Sequence, residues 1–286
     1  MKILIKNVTL ISMNKNEEQI QENMDILINE KKIQKIEKNI EIDKNEKELK
    51  IIDATGKVAM PGLINTHAHV PMSIFRETLD GYNLQDWLNK KIWPMEAKLT
   101  NKDIYYASLL SFIEMIKTGC TTINDMYFMT DDIIDAEKKT GIRLQTTRCL
   151  MGDGNKEEDL HRLDELTELV EKYKDLDTVS FNAGIHGLYT SNRKYVQACA
   201  EYARKNGMPV HIHFCENSGE VKDIINGYGE NPVQILSEEF KNLKVLLAHC
   251  VKLNDEDIAN ISKINKESYL IKDANGRVYA DVQSRY

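Results

Sequence analysis

Short apolar runs and amphipathic segments alternate along this chain, and the pattern changes near residue 59. Before that point the apolar runs alternate with polar residues and are separated by polar turns, such as the one at 29–32. Such runs predict β-strands. Because these strands are too short and polar to enclose a large core, residues 1–58 are predicted to form a small N-terminal β-sandwich. The predicted strands are 3–11, 25–28, 33–36 and 49–52.

From residue 59 onward, six continuous apolar runs alternate with segments of helical period. Continuous runs are typical of parallel strands buried on both faces, and their alternation with helices predicts an α/β fold with a parallel sheet. In the clearest helix, 101–118, Thr100 is the predicted N-cap and Asp103 completes a capping box. The predicted strands are 58–64, 121–126, 143–150, 179–185, 209–214 and 245–250, and the other predicted helices are 159–173, 191–206 and 255–264.

Histidines stand at the ends of three of these strands, where a shared metal site would form. His67 and His69 have a spacing that puts both rings on one face of a strand, and His213 closes a later strand with Glu216 three residues beyond it. His249 ends the sixth strand. Because imidazoles that converge at strand ends are suitable ligands, we expect a site for one divalent metal.

Two other histidines are given no role in this site. His211 shares the face of His213 but lies one layer deeper, so it is predicted to be a core residue. His161 lies on a charged helix and is predicted to be solvated.

The clustering of these residues at strand ends favours a TIM-like (β/α) barrel over an open sheet. Such a barrel needs eight strand–helix units and we count six, so residues 59–265 are predicted to form an incomplete barrel. Residues 266–286 predict a β-hairpin tail around Asn275-Gly276 instead of a seventh unit.

The charge and composition of the chain argue against some classes of partner and location. The net charge of −7 and the pI near 5.6 argue against nucleic-acid or anionic-membrane surfaces. The N-terminal apolar run is too short for a signal peptide, and no run is long enough to span a bilayer. The five cysteines are scattered without a Cys-x-x-Cys pair, which is typical of reduced thiols in a cytoplasmic protein.

The segment from Pro61 to Ser73, Pro-Gly-Leu-Ile-Asn-Thr-His-Ala-His-Val-Pro-Met-Ser, resembles the first barrel strand of the amidohydrolase superfamily. Within it, the chain is most similar to the 5-methylthioadenosine/S-adenosylhomocysteine deaminases and the related aminohydrolases and chlorohydrolases. The resemblance covers residues 1 to about 264 in the family's order. Further matching segments are 84–88, 92–96, 118–127, 184–189, 213–216 and 248–251.

This resemblance implies hydrolytic deamination of an adenine nucleoside thioether to the inosine analogue and ammonia. It implies that His67, His69 and His213 bind a divalent metal, zinc first and iron second. Glu216 would carry a proton to the purine ring nitrogen, and His249 would orient the attacking hydroxide. It also implies a homo-oligomer.

The resemblance implies a second set of residues that contact the nucleoside. Glu96 would receive the two ribose hydroxyls and His186 would contact the nucleoside, although this chain has Ile185-His186-Gly187 where the family usually has Pro-His-Ser. Arg148 would receive a substrate carboxylate such as that of S-adenosylhomocysteine, with a structural salt bridge as the alternative. Trp87 would line the pocket for the thioether or base.

The chain departs from the family in one motif, and two alternatives to the deaminase stay open. The family's last strand ends in an aspartate that binds the metal and takes the proton from water, commonly within Thr-Asp-Gly, and no such motif follows His249. We therefore expect a chain that lacks the seventh and eighth strands. The alternatives are another heterocycle aminohydrolase or chlorohydrolase of the superfamily, and a truncated remnant that is catalytically inactive.

Overall fold

The computed structural model describes residues 2–14, 16–42, 48–77, 81–264 and 269–270. The chain divides into two compact units, Met1–Leu63 and Ile64–Tyr286. The predicted hairpin at 266–286 lies outside the described residues, apart from Tyr269 and Leu270. No helix in the described part of the chain is both long and apolar enough to cross a bilayer.

The first unit contains one mixed five-stranded sheet with the order β3-β2-β1-β4, in which β5 also pairs with β1. β2 is antiparallel to β1 and β3, whereas β4 and β5 run parallel to β1. Leu10, Met24 and Ile26 pack in a small apolar cluster. The second layer of a sandwich is not confirmed by the described residues. The strands are β1 (Lys2–Ile11), β2 (Ile20–Asn29), β3 (Lys32–Glu37), β4 (Leu49–Asp53) and β5 (Val58–Ala59).

The second unit has two four-stranded sheets, β6-β7-β8-β9 and β10-β11-β12-β13. The β7–β8, β8–β9, β10–β11, β11–β12 and β12–β13 pairs are parallel. This agrees with the α/β prediction, and no closed barrel is found among the described residues. The strands are β6 (Leu63–Ala68), β7 (Cys120–Asp125), β8 (Arg143–Thr146), β9 (Val179–Phe181), β10 (Ala183–Gly187), β11 (Val210–Phe214), β12 (Val245–His249) and β13 (Tyr269–Leu270).

Nine α-helices within the described residues connect or follow these strands, and they include the capping box at Thr100 and Asp103, as predicted. Two 3-10 turns, Val70–Phe75 and Leu188–Thr190, and a π-helical turn, Leu88–Ile92, lie between them. The helices are α1 (Leu84–Trp87), α2 (Trp93–Glu96), α3 (Asn101–Lys117), α4 (Thr130–Thr140), α5 (Glu157–Tyr173), α6 (Arg193–Asn206), α7 (Ser218–Tyr228), α8 (Pro232–Glu239) and α9 (Asp255–Ile264).

Two apolar clusters in the second unit hold the sheets against the helices. Ile123 and Leu144 of the first sheet pack with Phe112 of α3 and Ile133 of α4. Ile212 and Leu247 of the second sheet pack with helical residues that include Tyr195 and Leu236. All five cysteines are free, in agreement with the reduced thiols that their spacing predicts, and all five are buried.

Some strand boundaries differ from the predictions. Strand β6 begins at Leu63 instead of residue 58, because Val58 and Ala59 pair with β1 and Pro61-Gly62 interrupts the run. The run 179–185 is divided into β9 and β10 at Asn182. Tyr269 and Leu270 pair in parallel with β12, so this segment continues the sheet where a hairpin strand was expected.

Candidate active site

Three histidines meet at the ends of two strands that lie in different sheets. His67 lies in β6, His69 follows β6 directly, and His213 lies in β11. One ring nitrogen of each lies within 4.8 Å of the others. Burial lowers the pKa of all three imidazoles, so they are neutral at pH 7 and keep a free lone pair. These are the three residues that the sequence predicted as metal ligands.

Backbone carbonyls set the tautomers of two of these rings. Nδ1 of His69 donates to the carbonyl of Met126 at 2.7 Å, and Nδ1 of His213 donates to the carbonyl of His186 at 2.5 Å. Both rings therefore carry the proton on Nδ1 and present a bare Nε2.

The two bare nitrogens face each other. Nε2 of His69 and Nε2 of His213 are 3.0 Å apart. Two lone pairs at this distance repel each other unless a cation lies beside both. Two ligands about 2.0–2.1 Å from a tetrahedral zinc ion would be separated by about 3.3 Å. The donor set and its spacing therefore fit a zinc ion.

His67 differs from the other two rings in the partner of its Nδ1. That atom lies 2.8 Å from Nε2 of His211, which is fully buried. The prediction that His211 is a core residue is right about burial. It missed the contact with His67, because the sequence does not show how deep β11 sits relative to β6.

Glu216 and His249 lie beside the histidine cluster. Nε2 of His249 is 3.6 Å from Oε2 of Glu216, and the His249 ring centroid is 5.0 Å from that of His67. Burial lowers the pKa of His249 to about 4, whereas burial and the charge of Glu220 raise the pKa of Glu216 to about 7. Near neutral pH, a neutral imidazole thus contacts a carboxyl group that can hold or release a proton.

The backbone that presents these two side chains is strained. Cys215, His249 and Cys250 have φ values of +49°, +76° and +58°, in the left-handed region that non-glycine residues rarely adopt. Backbone hydrogen bonds from Cys250 to Phe214 and from Lys252 to Cys215, both 2.8 Å long, hold the two strand ends together. Strain of this kind is concentrated at functional sites.

Glu220, on α7, has a positioning role that the sequence analysis missed. Its buried carboxylate accepts hydrogen bonds from the backbone N–H groups of Cys215 (2.9 Å) and Glu216 (2.7 Å). It therefore fixes the turn that carries Glu216. The signal in the sequence was Asn217, which caps α7 and accepts from the backbone N–H of Glu220 at 3.0 Å.

A cavity of about 220 Å³ opens next to the cluster and is lined by His69, His213, Glu216 and His249. His186, Trp87 and Glu96 also line it. The structure thus brings the two predicted catalytic residues and three predicted substrate residues to one cavity.

Glu96 lines this cavity. It accepts a hydrogen bond of 2.6 Å from the hydroxyl of Tyr127, and burial raises its pKa. The Nδ1 atom of His186 lies 3.0 Å from the hydroxyl oxygen of Thr190. Both side chains are half-buried, so neither is the solvated surface residue that its polarity alone would suggest.

Arg148 lies in a second, larger cavity of about 760 Å³, which shares Glu96 with the first. Its Nε donates to Glu165 at 2.6 Å and its Nη1 donates to the carbonyl of Cys149 at 2.9 Å. The arginine therefore forms the structural salt bridge that was the alternative to binding a substrate carboxylate.

Sequence comparison places these features among known proteins. The model of the amidohydrolase family matches residues 58–283. The chain is 38% identical over 260 residues to a 5-methylthioadenosine/S-adenosylhomocysteine deaminase of Thermoanaerobacter pseudethanolicus. The aligned region covers 90% of this chain and 59% of that protein. It is also 38% identical over 220 residues to a 5′-deoxyadenosine deaminase of Methanococcus maripaludis. Here the aligned region covers 76% of this chain and 52% of that protein. The chain thus spans between half and three fifths of the length of these relatives.

Comparison with solved structures finds proteins of similar fold. An adenosine deaminase from Xanthomonas campestris with bound zinc superposes with a TM-score of 0.83 at 22% identity, over 94% of this chain and 61% of that one. At this level of identity the match concerns the fold alone.

Proposed function

Because the chain belongs to the amidohydrolase family, we propose that it serves the metal-dependent hydrolytic deamination of an adenine nucleoside, giving the inosine analogue and ammonia. The substrates we propose are adenosine and its 5′-thioethers, 5-methylthioadenosine and S-adenosylhomocysteine. The observation that carries the proposal is the pair of bare Nε2 atoms of His69 and His213, with the Glu216 carboxyl group in the same cavity.

We propose that His67, His69 and His213 hold one zinc ion, with iron as the alternative metal. When bound, a zinc ion with three protein ligands would lower the pKa of a water molecule to about 7 and so supply a nucleophile at neutral pH. The lowered pKa values of the three imidazoles support this assignment, because neutral rings bind metal without first losing a proton.

Glu216 is the proposed proton carrier. Addition of a nucleophile to C6 of adenine builds charge on the neighbouring ring nitrogen N1, and a protonated carboxyl group beside it donates the proton that N1 needs. The raised pKa of Glu216, about 7, supports this role because about half of the carboxyl groups are protonated at neutral pH. His249 is neutral at that pH and would accept a hydrogen bond from the attacking water, thereby orienting it.

The two cavities, which share Glu96 in their walls, suggest how a nucleoside would lie. The purine would occupy the smaller cavity beside Glu216 with His186 and Trp87 on its walls, and Glu96 would accept hydrogen bonds from the ribose hydroxyls. The 5′ substituent would then point into the larger cavity, near Arg148. Since Glu96 already accepts from Tyr127 at 2.6 Å, its position is fixed before substrate arrives.

The architecture proposed for this chain is the amidohydrolase (β/α) barrel, with the two parallel sheets of the second unit as parts of one barrel. The domain division at 58/59 and 265/266, the N-terminal sandwich, the homo-oligomer and the cytoplasmic location remain predictions. They rest on the sequence pattern and on the resemblance to the family.

The test is turnover of purified protein supplied with zinc, followed by the change in ultraviolet absorption as the adenine ring becomes hypoxanthine. We expect conversion of 5-methylthioadenosine, S-adenosylhomocysteine or adenosine, and a loss of about 10²–10⁴-fold in the Glu216→Gln variant with unchanged zinc content. Guanine and a chlorinated triazine are tested in parallel, and turnover of only these would favour the other aminohydrolases or chlorohydrolases. Zinc and nucleoside binding without any turnover would contradict the proposal and favour an inactive remnant.

A further inference from the structure

We propose that His211 is a positioning residue of the metal site: its Nε2 accepts a hydrogen bond from the Nδ1–H group of His67 and so sets the tautomer and the orientation of that ring. This inference rests on the proposed metal site and concerns how one ligand is held there. A histidine that binds metal through Nε2 needs an acceptor for its other N–H group, and that acceptor fixes the ring.

The three proposed ligands meet this requirement with two kinds of acceptor, backbone carbonyls and a side chain. His69 and His213 donate from Nδ1 to backbone carbonyls, which no substitution of a side chain can remove. His67 has no such carbonyl among the described residues, and the partner of its Nδ1 is Nε2 of His211, 2.8 Å away. The orientation of His67 therefore depends on a single side chain.

The position of His211 follows from the strand that carries it. In β11, His211 and His213 point to the same face, with the backbone of Gly184 on one side of His211 and Leu246 on the other. The ring planes of His67 and His211 are perpendicular, with centroids 5.0 Å apart. In this edge-on arrangement the Nε2 lone pair of His211 can accept from Nδ1 of His67.

The unused nitrogen of His211 argues against a role in packing alone. If Nε2 accepts, the ring of His211 must carry its proton on Nδ1, and that buried atom has no hydrogen-bond partner among the described residues. A buried donor without an acceptor costs free energy, and an apolar side chain of similar size would avoid this cost. A histidine at this position is therefore explained by what its other nitrogen does for His67.

The experiment measures zinc affinity by competition with a chromophoric chelator in four variants of the whole chain. His211→Gln can place an amide oxygen near the present Nε2 and should bind zinc within about threefold of the parent protein. His211→Asn is too short to reach His67, and His211→Leu cannot accept a hydrogen bond; both should bind zinc about 10–100-fold more weakly. The matched control is His161→Gln, at an exposed histidine of α5, which should not change the affinity.

Two further readouts separate positioning from folding. Melting temperatures in excess chelator should change little in His211→Leu, because the loss of one hydrogen bond is offset by removal of the unpaired donor. The visible spectrum of the cobalt(II)-loaded protein should be preserved in His211→Gln and altered in His211→Asn. If His211→Leu fails to fold, the Gln and Asn variants alone decide.

The outcomes for this inference and for the proposed function are distinct. Equal zinc affinity of the parent, Gln and Asn proteins would overturn the role of His211 while leaving the metal site in place. Failure of the parent protein itself to bind zinc would instead contradict the proposed function.

Discussion

Replacement of Glu216 by glutamine should make the metal-free protein more resistant to unfolding at alkaline pH. Burial and the neighbouring Glu220 raise the pKa of Glu216 from 4.5 to about 7 in the folded state. Since the folded-state pKa lies above the unfolded one, the group has no effect well below pH 4.5, where both states are protonated. It destabilises the fold progressively as the pH rises through 7.

The expected magnitude follows from the shift. A pKa of 4.5 in the unfolded state and of about 7 in the folded state corresponds to about 3 kcal/mol of destabilisation at pH 8 and to less than about 1 kcal/mol at pH 5. Glutamine removes this penalty because it does not ionise. The free energy of unfolding of Glu216→Gln, relative to the parent protein, should therefore increase by about 2–3 kcal/mol between pH 5 and pH 8.

The assay is urea unfolding in excess chelator at pH 5, 6, 7 and 8. It can be followed by tryptophan fluorescence, because both tryptophans, Trp87 and Trp93, lie in the second unit with the site. Glu158→Gln, at a carboxylate whose side chain is 77% exposed, is the matched control. A free-energy difference between Glu216→Gln and the parent protein that stays constant from pH 5 to pH 8 would refute the raised pKa of this partly buried carboxyl group.

Three further predictions concern packing, capping and substrate contact. Gly184→Ala would bring a Cβ to 2.2 Å from the side chain of Thr147, so urea unfolding should show a loss of about 1–3 kcal/mol. The additional change Thr147→Ser removes the closest atom, Cγ2, but keeps the hydroxyl that accepts from the N–H group of Gly184. It should recover part of the loss, and equal stability of Gly184→Ala and the double variant would contradict the steric explanation. Thr100→Ala removes the capping box of α3 and should cost about 1 kcal/mol in the same assay, whereas no change would show that the cap does not matter. Glu96→Gln should lower kcat/KM for a nucleoside by about 10–100-fold and for free adenine much less, and equal losses for both would remove Glu96 from ribose recognition.

The sequence was informative where short-range patterns decide the structure. The continuous apolar runs predicted β7, β11 and β12 to within about one residue, because strands buried on both faces need apolar residues at every position. The spacing of His67 and His69 likewise predicted that both rings share one face.

Other features depend on contacts between distant segments, which the sequence pattern does not show. The start of β6 was placed wrongly because Val58 and Ala59 pair with β1, about 50 residues away. The contact between His67 and His211 joins residues separated by 144 positions. Glu220 accepts a hydrogen bond from the backbone of Cys215, whose left-handed conformation no glycine or asparagine signals in the sequence.

The central claim is that His67, His69 and His213 form one metal site, and anomalous diffraction at the zinc absorption edge tests it most directly. Crystals of the protein grown with one equivalent of zinc should show a single strong anomalous peak, about 2.0–2.1 Å from a nitrogen of each of the three rings. An anomalous peak at other side chains, with none at His67, His69 and His213, would contradict the account.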